Sequence, residues 1–420
     1  MRHVTKFLRL LCALIACVGA VSAQQSRFYL KDGDRVVFYG DSITEQRFYT
    51  TFIETYVVTR WPDLNITFVN AGWGGDRVGG GRGGSIDLRL KRDVIAYHPT
   101  VVTIMLGMND GDVKPYDPAL FNTFAVGYKQ IVEKLKDAQP GLRFTLIRPS
   151  PYDDVTRDVL FPGGYNSVLV RYGDFIEELA KQMKLDLADL NKPVVTALAK
   201  ANGIDPNLAK RIISDRVHPG LGGHVLMAQA LLKAWNAPAT VTAVEIDAAT
   251  GRVVNAENSK VSELTKEGGL SWIQADGALP MFLDTKDPTI DLAVKSSDVV
   301  ETLNQELLKV TGLPAPSYTL KIDDQTIRTF TRDSLTKGIN LAILATPMMK
   351  QAQAVHLLTM EHNGIHRARW RDVQVALQDE PSPAVQKAID ALSVLESELI
   401  AKQHGMAKPR PHRFQLIPQP

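Results

Sequence analysis

The sequence predicts an α/β protein in which helices cover both faces of a parallel sheet, followed by a smaller β-rich module. Two observations lead to this prediction. In roughly the first half of the chain, nearly all-apolar segments of strand length alternate with amphipathic segments of helical length. Strands without a polar face are typical of parallel sheets that are covered on both sides. After about residue 240, β-branched residues and turns become frequent, which favours a separate module.

The predicted strands and helices follow one another in regular order. The strands are residues 35–40, 66–72, 101–107, 144–150 and 184–190. The helical segments include residues 86–97, 124–138, 174–184 and, last, 224–235. Because the carboxyl ends of parallel strands lie at one edge of a sheet, residues that directly follow these strands are expected to meet there.

The second half of the chain has its own predicted elements. Residues 310–330 predict a β-hairpin that turns at Asp323 and Asp324. Two helices are predicted, over residues 346–363 and 382–403. The tail after the second helix is rich in proline and basic residues, and we expect it to be loosely ordered.

Composition excludes several classes of function. The chain has 420 residues, of which 45% are hydrophobic and 22% charged, as is ordinary for a soluble globular protein. Its net charge is +2 and it has no block of basic residues, so nothing indicates a nucleic-acid partner. No apolar run in the body of the chain reaches the length of a membrane span.

The N-terminus resembles a secretory signal peptide over residues 1–23. Basic residues precede a short apolar stretch that ends in the small-x-small site Val21-Ser22-Ala23, which predicts cleavage before Gln24 and a secreted or periplasmic protein. The stretch "LIAC" also resembles a bacterial lipoprotein signal, which would place a lipid anchor on Cys17. A buried N-terminal helix is the third alternative. Cys12 and Cys17 are the two cysteines, so a chain that begins at Gln24 has no disulfide, Cys-ligated zinc or catalytic thiol.

Four short motifs lie where the sheet edge is predicted. "GDSIT" follows the first strand and contains Ser42, and "NAGWGGD" follows the second at residues 70–76. "GMND" follows the third strand at residues 107–110, and "SDRVHPG" precedes the last helix at residues 214–220. Their order along the chain therefore predicts that all four lie together.

The residue types in these motifs suit acyl transfer. A serine hydroxyl needs a base, which His218 would supply, and an imidazole needs an acceptor that fixes its tautomer, which Asp215 would supply. The oxyanion that forms needs hydrogen-bond donors. Three candidates are the backbone N–H of Ser42, the backbone N–H of Gly75 and the side-chain amide of Asn109.

Each motif also has a purely structural interpretation. Ser42 is a good N-cap for a helix that begins near Ile43, and Asp215 would cap the turn that follows it. Asn109 and Asp110 are ordinary turn residues. The glycine-rich residues 72–84 suggest a phosphate loop, but they follow the second strand and lack the Gly-Lys-Ser/Thr ending. The combination of the four motifs favours the catalytic interpretation.

With these motifs the chain resembles the SGNH, or GDSL-type, hydrolases over about residues 30–236. The resemblance implies a three-layer α/β/α fold with a five-stranded, mainly parallel, flavodoxin-like sheet. It also implies a serine on a Gly-Asp-Ser turn without the G-x-S-x-G elbow of other α/β-hydrolases. The β-rich part lies outside this core and looks like the accessory module of multidomain secreted bacterial members. The predicted limits are 1–23 for the signal peptide, 24–240 for the hydrolase domain, 241–377 for the β-rich module and 378–420 for the terminal helix and tail.

The resemblance assigns a role to each candidate residue. Ser42 would be the nucleophile, and Asp215 and His218 would complete the triad. Gly75 and Asn109 would complete the oxyanion hole with the N–H of Ser42. The glycine block is longer than the family pattern, which leaves Gly72 as an alternative to Gly75. No metal or cofactor is implied.

Other residues are interpreted as structural or left open. His224 is expected to pack or cap at the last helix. His362 and His366 have the spacing of metal ligands but no evident third ligand. Trp73 would either line a substrate pocket or pack. The aromatic and basic residues 366–374 are expected to form a domain interface.

The sequence therefore predicts an exported serine esterase of the SGNH type that uses neither metal nor cofactor. Carbohydrate O-acetyl groups are the leading substrate hypothesis, because export is combined with an accessory module. A lysophospholipase or small-acyl lipid esterase is the second hypothesis. The third is a carbohydrate-binding protein with a retired hydrolase fold, which the presence of every triad residue disfavours. The β-rich module is expected to be separable from the chemistry, but not necessarily from the stability of the protein.

Intact mass spectrometry of protein exported by a bacterial host tests the processing prediction. We expect an N-terminus at Gln24 and no lipid, because the small-x-small site lies directly before it. A mass that corresponds to an acylated Cys17 would instead establish the lipoprotein alternative.

Overall fold

A five-stranded parallel sheet lies at the centre of the N-terminal half of the protein. We describe a computed structural model over residues 28–420, so the predicted signal peptide, the cleavage site and Cys17 lie outside the described residues. The strands of this sheet are β1 (Arg35–Gly40), β2 (Thr67–Gly72), β5 (Val101–Met105), β6 (Arg143–Arg148) and β7 (Asp186–Asp189). Between β2 and β5, the short strands β3 (Gly80–Gly81) and β4 (Gly84–Ser85) pair with each other.

The order of strands in the central sheet is β2-β1-β5-β6-β7, and every pair is parallel. All five residues of β5 are buried, as are residues 36–40 of β1, which is the pattern of central strands covered on both faces. The predicted fold class is confirmed. All five strands were also predicted from their apolar runs, with bounds that differ by at most two residues.

Helices cover both faces of this sheet. They are α1 (Ser42–Glu45), α2 (Phe48–Arg60), α3 (Ile86–Asp93), α4 (Pro118–Ala138), α5 (Gly164–Met183), α6 (Lys192–Ile204), α7 (Pro206–Ala209) and α8 (Leu221–Ala234), with a 3₁₀ turn at Ile95–Tyr97. Helix α2 packs against α8, whereas α4 packs against α3 and α5. Among the helices of residues 28–420, none is long and apolar enough to cross a bilayer.

Two further sheets form in the C-terminal half. Their strands are β8 (Thr240–Asp247), β9 (Arg252–Glu257), β10 (Ser259–Thr265), β11 (Leu270–Asp276), β12 (Gln305–Thr311), β13 (Ser317–Ile322), β14 (Gln325–Thr331), β15 (Ile339–Asn340) and β16 (His412–Gln419). One sheet has the order β10-β11-β16-β13-β14 and the other the order β15-β12-β8-β9. The predicted hairpin is confirmed, because β13 and β14 pair antiparallel across Asp323, whose φ of 52° is left-handed.

The remaining helices belong to the second half. They are α9 (Pro288–Ser296), α10 (Val299–Leu303), α11 (Arg332–Lys337), α12 (Pro347–Arg367) and α13 (Pro383–Ala407), with a π-helix at Ala368–Val375 directly after α12. Helices α12 and α13 pack on each other, and α12 also packs on α2 of the N-terminal half. The two helices predicted over 346–363 and 382–403 are thereby confirmed.

The C-terminal tail is ordered, so the expectation of a loose tail was wrong. Strand β16 lies between β11 and β13 and pairs antiparallel with both. The physical reason is an alternating pattern, because Phe414 and Leu416 are fully buried while Arg413 is exposed. The prolines of the tail lie outside the paired centre of the strand or near its end, where a missing N–H is tolerated.

Residues after position 240 also complete the first hydrophobic core. Met281, Ile290 and Val299 are buried in the same cluster as the strands of the central sheet. The fully buried guanidinium of Arg60 donates to the backbone carbonyls of Thr240 and Leu303, the latter at 2.8 Å. The proposed domain limits stay a prediction, but the two halves share a core and do not meet only at a linker.

A buried polar network joins α2 to the two C-terminal helices. The carboxylate of Glu54 accepts hydrogen bonds from His362 Nε2 at 2.5 Å, Asn363 Nδ2 at 3.0 Å and Gln403 Nε2 at 2.9 Å. Burial lowers the pKa of His362, but the charge of Glu54 outweighs it and leaves that pKa raised. Nδ1 of His366 pairs with Oε1 of Glu396 at 3.2 Å. Across residues 28–420, no group of three or more ligand-type side chains could hold a metal ion.

Two neighbouring substitutions test the role of the C-terminal strand. Phe414→Ala should lower the free energy of unfolding by about 3–5 kcal/mol, because it leaves a cavity in a closed core. Gln415→Ala, one residue along and on the partly exposed face, should change it by less than about 1 kcal/mol. Urea unfolding measures both values, and equal values for the two variants would contradict the insertion of β16 into the sheet.

Candidate active site

Ser42 lies at the turn between β1 and the short helix α1. The N-cap of that helix is Asp41, whose side chain accepts the N–H of Ile43 at 3.0 Å. Ser42 is therefore the first helical residue and not the cap, so its hydroxyl has no capping role. The Ser42 Oγ instead lies 2.8 Å from Nε2 of His218.

His218 and Asp215 lie on the loop before α8, as the sequence predicts. Nδ1 of His218 lies 2.7 Å from Oδ2 of Asp215. The other oxygen, Oδ1, accepts the backbone N–H groups of Val217 at 2.9 Å and His218 at 2.7 Å. Capping the turn and orienting the imidazole are therefore compatible, because Asp215 uses a different oxygen for each. Partial burial raises the pKa of Asp215, but these hydrogen bonds from His218 and Val217 outweigh it and leave the pKa below its ordinary value.

An arginine from a separate segment holds this loop in place. The guanidinium of Arg157 is anchored by Asp153 Oδ2 at 2.6 Å. It donates to three backbone carbonyls of the loop, those of Lys210 at 2.9 Å, Ile213 at 3.0 Å and Ser214 at 2.7 Å. Ser214 directly precedes Asp215, so Arg157, which lies more than 50 residues earlier in the sequence, helps to fix the position of the Asp215 carboxylate.

A tight turn at residues 73–76, here called the oxyanion turn, runs beside Ser42. The N–H of Asp76 donates to the carbonyl of Trp73 at 3.1 Å, and Gly75 has a φ of +78°, which favours glycine at this position of a turn. A Cβ added to Gly74 would lie 3.9 Å from Cβ of Ser42. In the described part of the chain the N–H groups of Gly74 and Gly75 have no acceptor, so both are available to a ligand.

The structure distinguishes Gly75 from the alternative, Gly72. The N–H of Gly72 already donates to Oδ1 of Asn70 at 3.1 Å. Its Cα also packs directly on α1, because an added Cβ would lie 2.2 Å from the backbone nitrogen of Glu45. Gly72 therefore serves close packing, and its N–H is not free for an oxyanion.

Asn109 ties the loop after β5 to the oxyanion turn. Its side-chain amide donates to the carbonyl of Asp76 at 3.0 Å, which uses one of the two amide hydrogens. The next residue, Asp110, accepts the N–H of Val78 at 3.0 Å. These residues therefore connect two sheet-edge loops and do not form an ordinary exposed turn.

Buried carboxyl groups surround the site. Burial raises the pKa of Asp41 to about 7 and that of Asp110 to about 6, although backbone N–H groups partly oppose the shift. Burial also raises the pKa of Asp76, which is paired with the buried Arg89 at 2.7 Å.

His224 has the structural role that the sequence predicts. It is fully buried, its Nδ1 accepts the N–H of Tyr49 at 3.2 Å, and its Nε2 lies 3.0 Å from Oε1 of Gln46. The acceptor role of Nδ1 places the proton on Nε2. Burial lowers the pKa of His224 to about 3, so the ring stays neutral.

Trp73 packs in the protein instead of facing an open pocket. It is 6% exposed and meets Trp370 edge to face, with 5.6 Å between ring centroids. Within the aromatic and basic segment 366–374, Trp370 therefore forms an interface with the oxyanion turn. Sequence reasoning missed Arg157, Arg89 and Arg371 as supports of the site. No local motif marks these arginines, because each acts on segments distant in sequence.

Comparisons with known proteins relate the N-terminal half of this chain to known acylhydrolases. The family described as GDSL-like Lipase/Acylhydrolase matches residues 38–226. An acetylxylan esterase of Geobacillus stearothermophilus is 25% identical over 224 residues, which are 48% of this chain and 93% of that protein. A crystal structure of an acetylxylan esterase from the same organism is 22% identical, covers 50% of this chain and 96% of its own, and has a TM-score of 0.40.

One solved structure matches both halves of the chain. It is described as a gut microbial diltiazem-metabolizing enzyme, with 28% identity and a TM-score of 0.82 over 94% of this chain and all of that one. The strand order, the placement of the four motifs and the family match lead to the same assignment. Through its N-terminal half, this chain belongs to the SGNH, or GDSL-type, hydrolases, and it is a serine esterase by class.

Proposed function

We propose that the chain hydrolyses carboxylic esters through Ser42, His218 and Asp215 and a covalent acyl-enzyme. The observation that supports this best is the continuous hydrogen-bonded relay at the sheet edge. It runs from Ser42 Oγ to His218 Nε2 at 2.8 Å, and from His218 Nδ1 to Asp215 Oδ2 at 2.7 Å. A serine, a base and an orienting carboxylate in this order are the parts that nucleophilic acyl transfer needs.

The proposed reaction has two halves. Asp215 holds the proton of His218 on Nδ1, so that Nε2 accepts the proton of Ser42 as Oγ attacks the ester carbonyl. The C–O bond to the alcohol then breaks, and His218 returns the proton to the leaving oxygen. In the second half His218 deprotonates a water molecule, which attacks the acyl-enzyme. The bond from the acyl carbon to Oγ then breaks, His218 returns the proton to Ser42 Oγ, and the acid is released.

The negative charge of each tetrahedral intermediate would be held by donors on three loops. The N–H of Ser42 is the first in α1 and has no acceptor within the helix. The N–H of Gly75 and the second amide hydrogen of Asn109 would complete the set. Donors fixed by surrounding structure need no reorganisation when the charge forms, which is the main advantage of such a site.

For the substrate, we propose O-acetyl groups on carbohydrates. The side chains of His218 and Asp215 are 37% and 55% exposed, so the site is shallow enough to reach an ester on a bulky chain. The acetylxylan esterase relative supports the same class. Export through the predicted signal peptide would bring the enzyme to such polymers. The neighbour that matches both halves, described as a diltiazem-metabolizing enzyme, favours a small-molecule substrate as a second candidate.

A labelling experiment and an ester panel test the proposal together. A fluorophosphonate probe should modify Ser42 alone, and Ser42→Ala should abolish both labelling and ester hydrolysis. Among p-nitrophenyl esters, activity should fall as the acyl chain lengthens beyond acetyl, and acetylated xylan should release acetate. Labelling of another residue would contradict the nucleophile. A preference for long acyl chains or lysophospholipids would replace the carbohydrate hypothesis with the lipid one.

Substitutions of Asn109 test whether this residue is an oxyanion donor or only shapes the turn after β5. Asn109→Ala should lower kcat by about 10²–10³ with little change in KM, because the donor acts mainly on the transition state. Asn109→Asp should be at least as damaging, since a carboxylate offers no donor and repels the oxyanion. The measurement is kcat for both variants beside their Tm values. A near wild-type kcat for Asn109→Asp would remove Asn109 from the mechanism.

A further inference from the structure

The π-helix at Ala368–Val375 reaches the catalytic edge although it lies some 300 residues from the oxyanion turn in sequence. Its Arg371 lies flat against the indole of Trp73, with 3.1 Å from Cζ to the ring centroid. Trp73 is the first residue of the oxyanion turn, and its N–H donates to the carbonyl of Gly40 at 3.0 Å. The guanidinium of Arg371 and the end of β1 therefore both contact the first residue of the oxyanion turn.

Arg371 also neutralises a carboxylate beside the nucleophile. Its Nη1 lies 3.2 Å from Oε1 of Glu45, and both side chains are only about one-quarter exposed, at 22% and 27%. The other oxygen, Oε2, lies 2.8 Å from the position that a Cβ would take on Gly74. Gly74 in turn lies beside Ser42. An unpaired charge on Glu45 would oppose the negative charge that forms on the substrate.

A second link runs from the π-helix to the same turn. Nε1 of Trp370 donates to Oδ1 of Asp93 at 2.6 Å, and the other oxygen of Asp93 pairs with Arg89. Arg89 donates to Oδ2 of Asp76 at 2.7 Å, and the carbonyl of Asp76 accepts the amide of Asn109. A chain of hydrogen bonds thus connects the C-terminal half to the proposed oxyanion donor.

We propose that Arg371 is a positioning residue for the oxyanion turn, and that the C-terminal half completes the active site through it. By its stack on Trp73 and its ion pair with Glu45, Arg371 holds the Gly75 N–H toward the reacting carbonyl and removes an opposing charge. This inference rests on the proposed esterase function. It assigns a catalytic contribution to a segment that lies outside residues 38–226, which the hydrolase family matches.

The test compares Arg371→Met with a matched control, Arg367→Met. Arg367 lies just before the π-helix, pairs with Asp372 at 2.8 Å and is 41% exposed, and it makes no contact with the oxyanion turn. In the full-length chain, with p-nitrophenyl acetate and kcat expressed per folded molecule, Arg371→Met should lower kcat about tenfold with KM little changed. This is less than the loss expected on removing a donor itself. The control should keep the wild-type kcat.

A second measurement separates positioning from stability. Phosphonylation of Ser42 by a fluorophosphonate also places negative charge in the oxyanion hole, so its rate constant should fall in Arg371→Met in parallel with kcat. The double variant Glu45→Gln/Arg371→Met should have a kcat at least about threefold higher than Arg371→Met alone, because the second substitution removes the unpaired charge of Glu45. Neither effect is expected if Arg371 only stabilises the fold. A double variant as slow as the single one would assign the loss to the stack, which still supports positioning.

Several outcomes would overturn the proposal. These are an unchanged kcat and labelling rate in Arg371→Met, a change in KM alone, or an equal loss in Arg367→Met. If Arg371→Met does not fold, Arg371→Lys is decisive, since lysine keeps the charge beside Glu45 but loses the planar stack. A kcat at least threefold below wild type would support the proposal, and a wild-type kcat would overturn it. Wild-type protein without activity or Ser42 labelling would instead refute the proposed function itself.

Discussion

The buried guanidinium of Arg89 fixes the catalytic edge of this protein. It is fully buried and makes three directed contacts, with Asp76, with Asp93 and with the backbone carbonyl of Ala71 at the end of β2. A buried guanidinium is stable only when its N–H groups have hydrogen-bond acceptors and its charge is paired. The segments that supply these partners to Arg89 therefore have few alternative arrangements. Such a network adds little net stability compared with an apolar core. Here its result is one defined geometry for the loop beside Ser42.

The same constraint explains why the candidate site combines rigid and exposed parts. Within the oxyanion turn, Arg89 pairs with Asp76 and Arg371 packs on Trp73, and Asn109 is tied to the turn through the carbonyl of Asp76. His218, in contrast, stands 37% exposed on its loop. In the proposed mechanism, the donors would be fixed before charge develops, while the proton carrier would remain open to substrate and water.

The central sheet and the relay could be predicted from sequence because their signals are local. Apolar runs define the strands, and the parallel topology then places whatever follows each strand at one edge. Ser42, Asn109 and His218 each lie within a few residues of such a strand end or of the last helix. The supports could not be predicted in this way. Arg157 and Arg371 act on segments more than 50 and nearly 300 residues distant, and a single sequence carries no sign of such pairs.

The structure of the C-terminal tail is determined by the alternation of buried and exposed residues and not by its content of proline and basic residues. Proline and basic residues suggested a loose end, yet three alternating residues, His412, Phe414 and Leu416, face inward and make β16 an inner strand of its sheet. The strand partners are fixed only by tertiary structure, because β11 and β13 lie about 90 to 140 residues earlier. Local pattern was present at Phe414 and Leu416, but it was too short to outweigh the prolines.

Long-range contacts also show that the β-rich half is not a separate module joined to the hydrolase half only by a linker. A module joined by a linker would leave the hydrolase core complete at about residue 240, whereas here Met281 and Val299 lie within that core and Arg60 bonds across the boundary. The solved neighbour has the same arrangement over 94% of this chain with only 28% identity. An arrangement that persists at such divergence is constrained by the packing of the two halves. The C-terminal half is therefore continuous with the hydrophobic core of the hydrolase half.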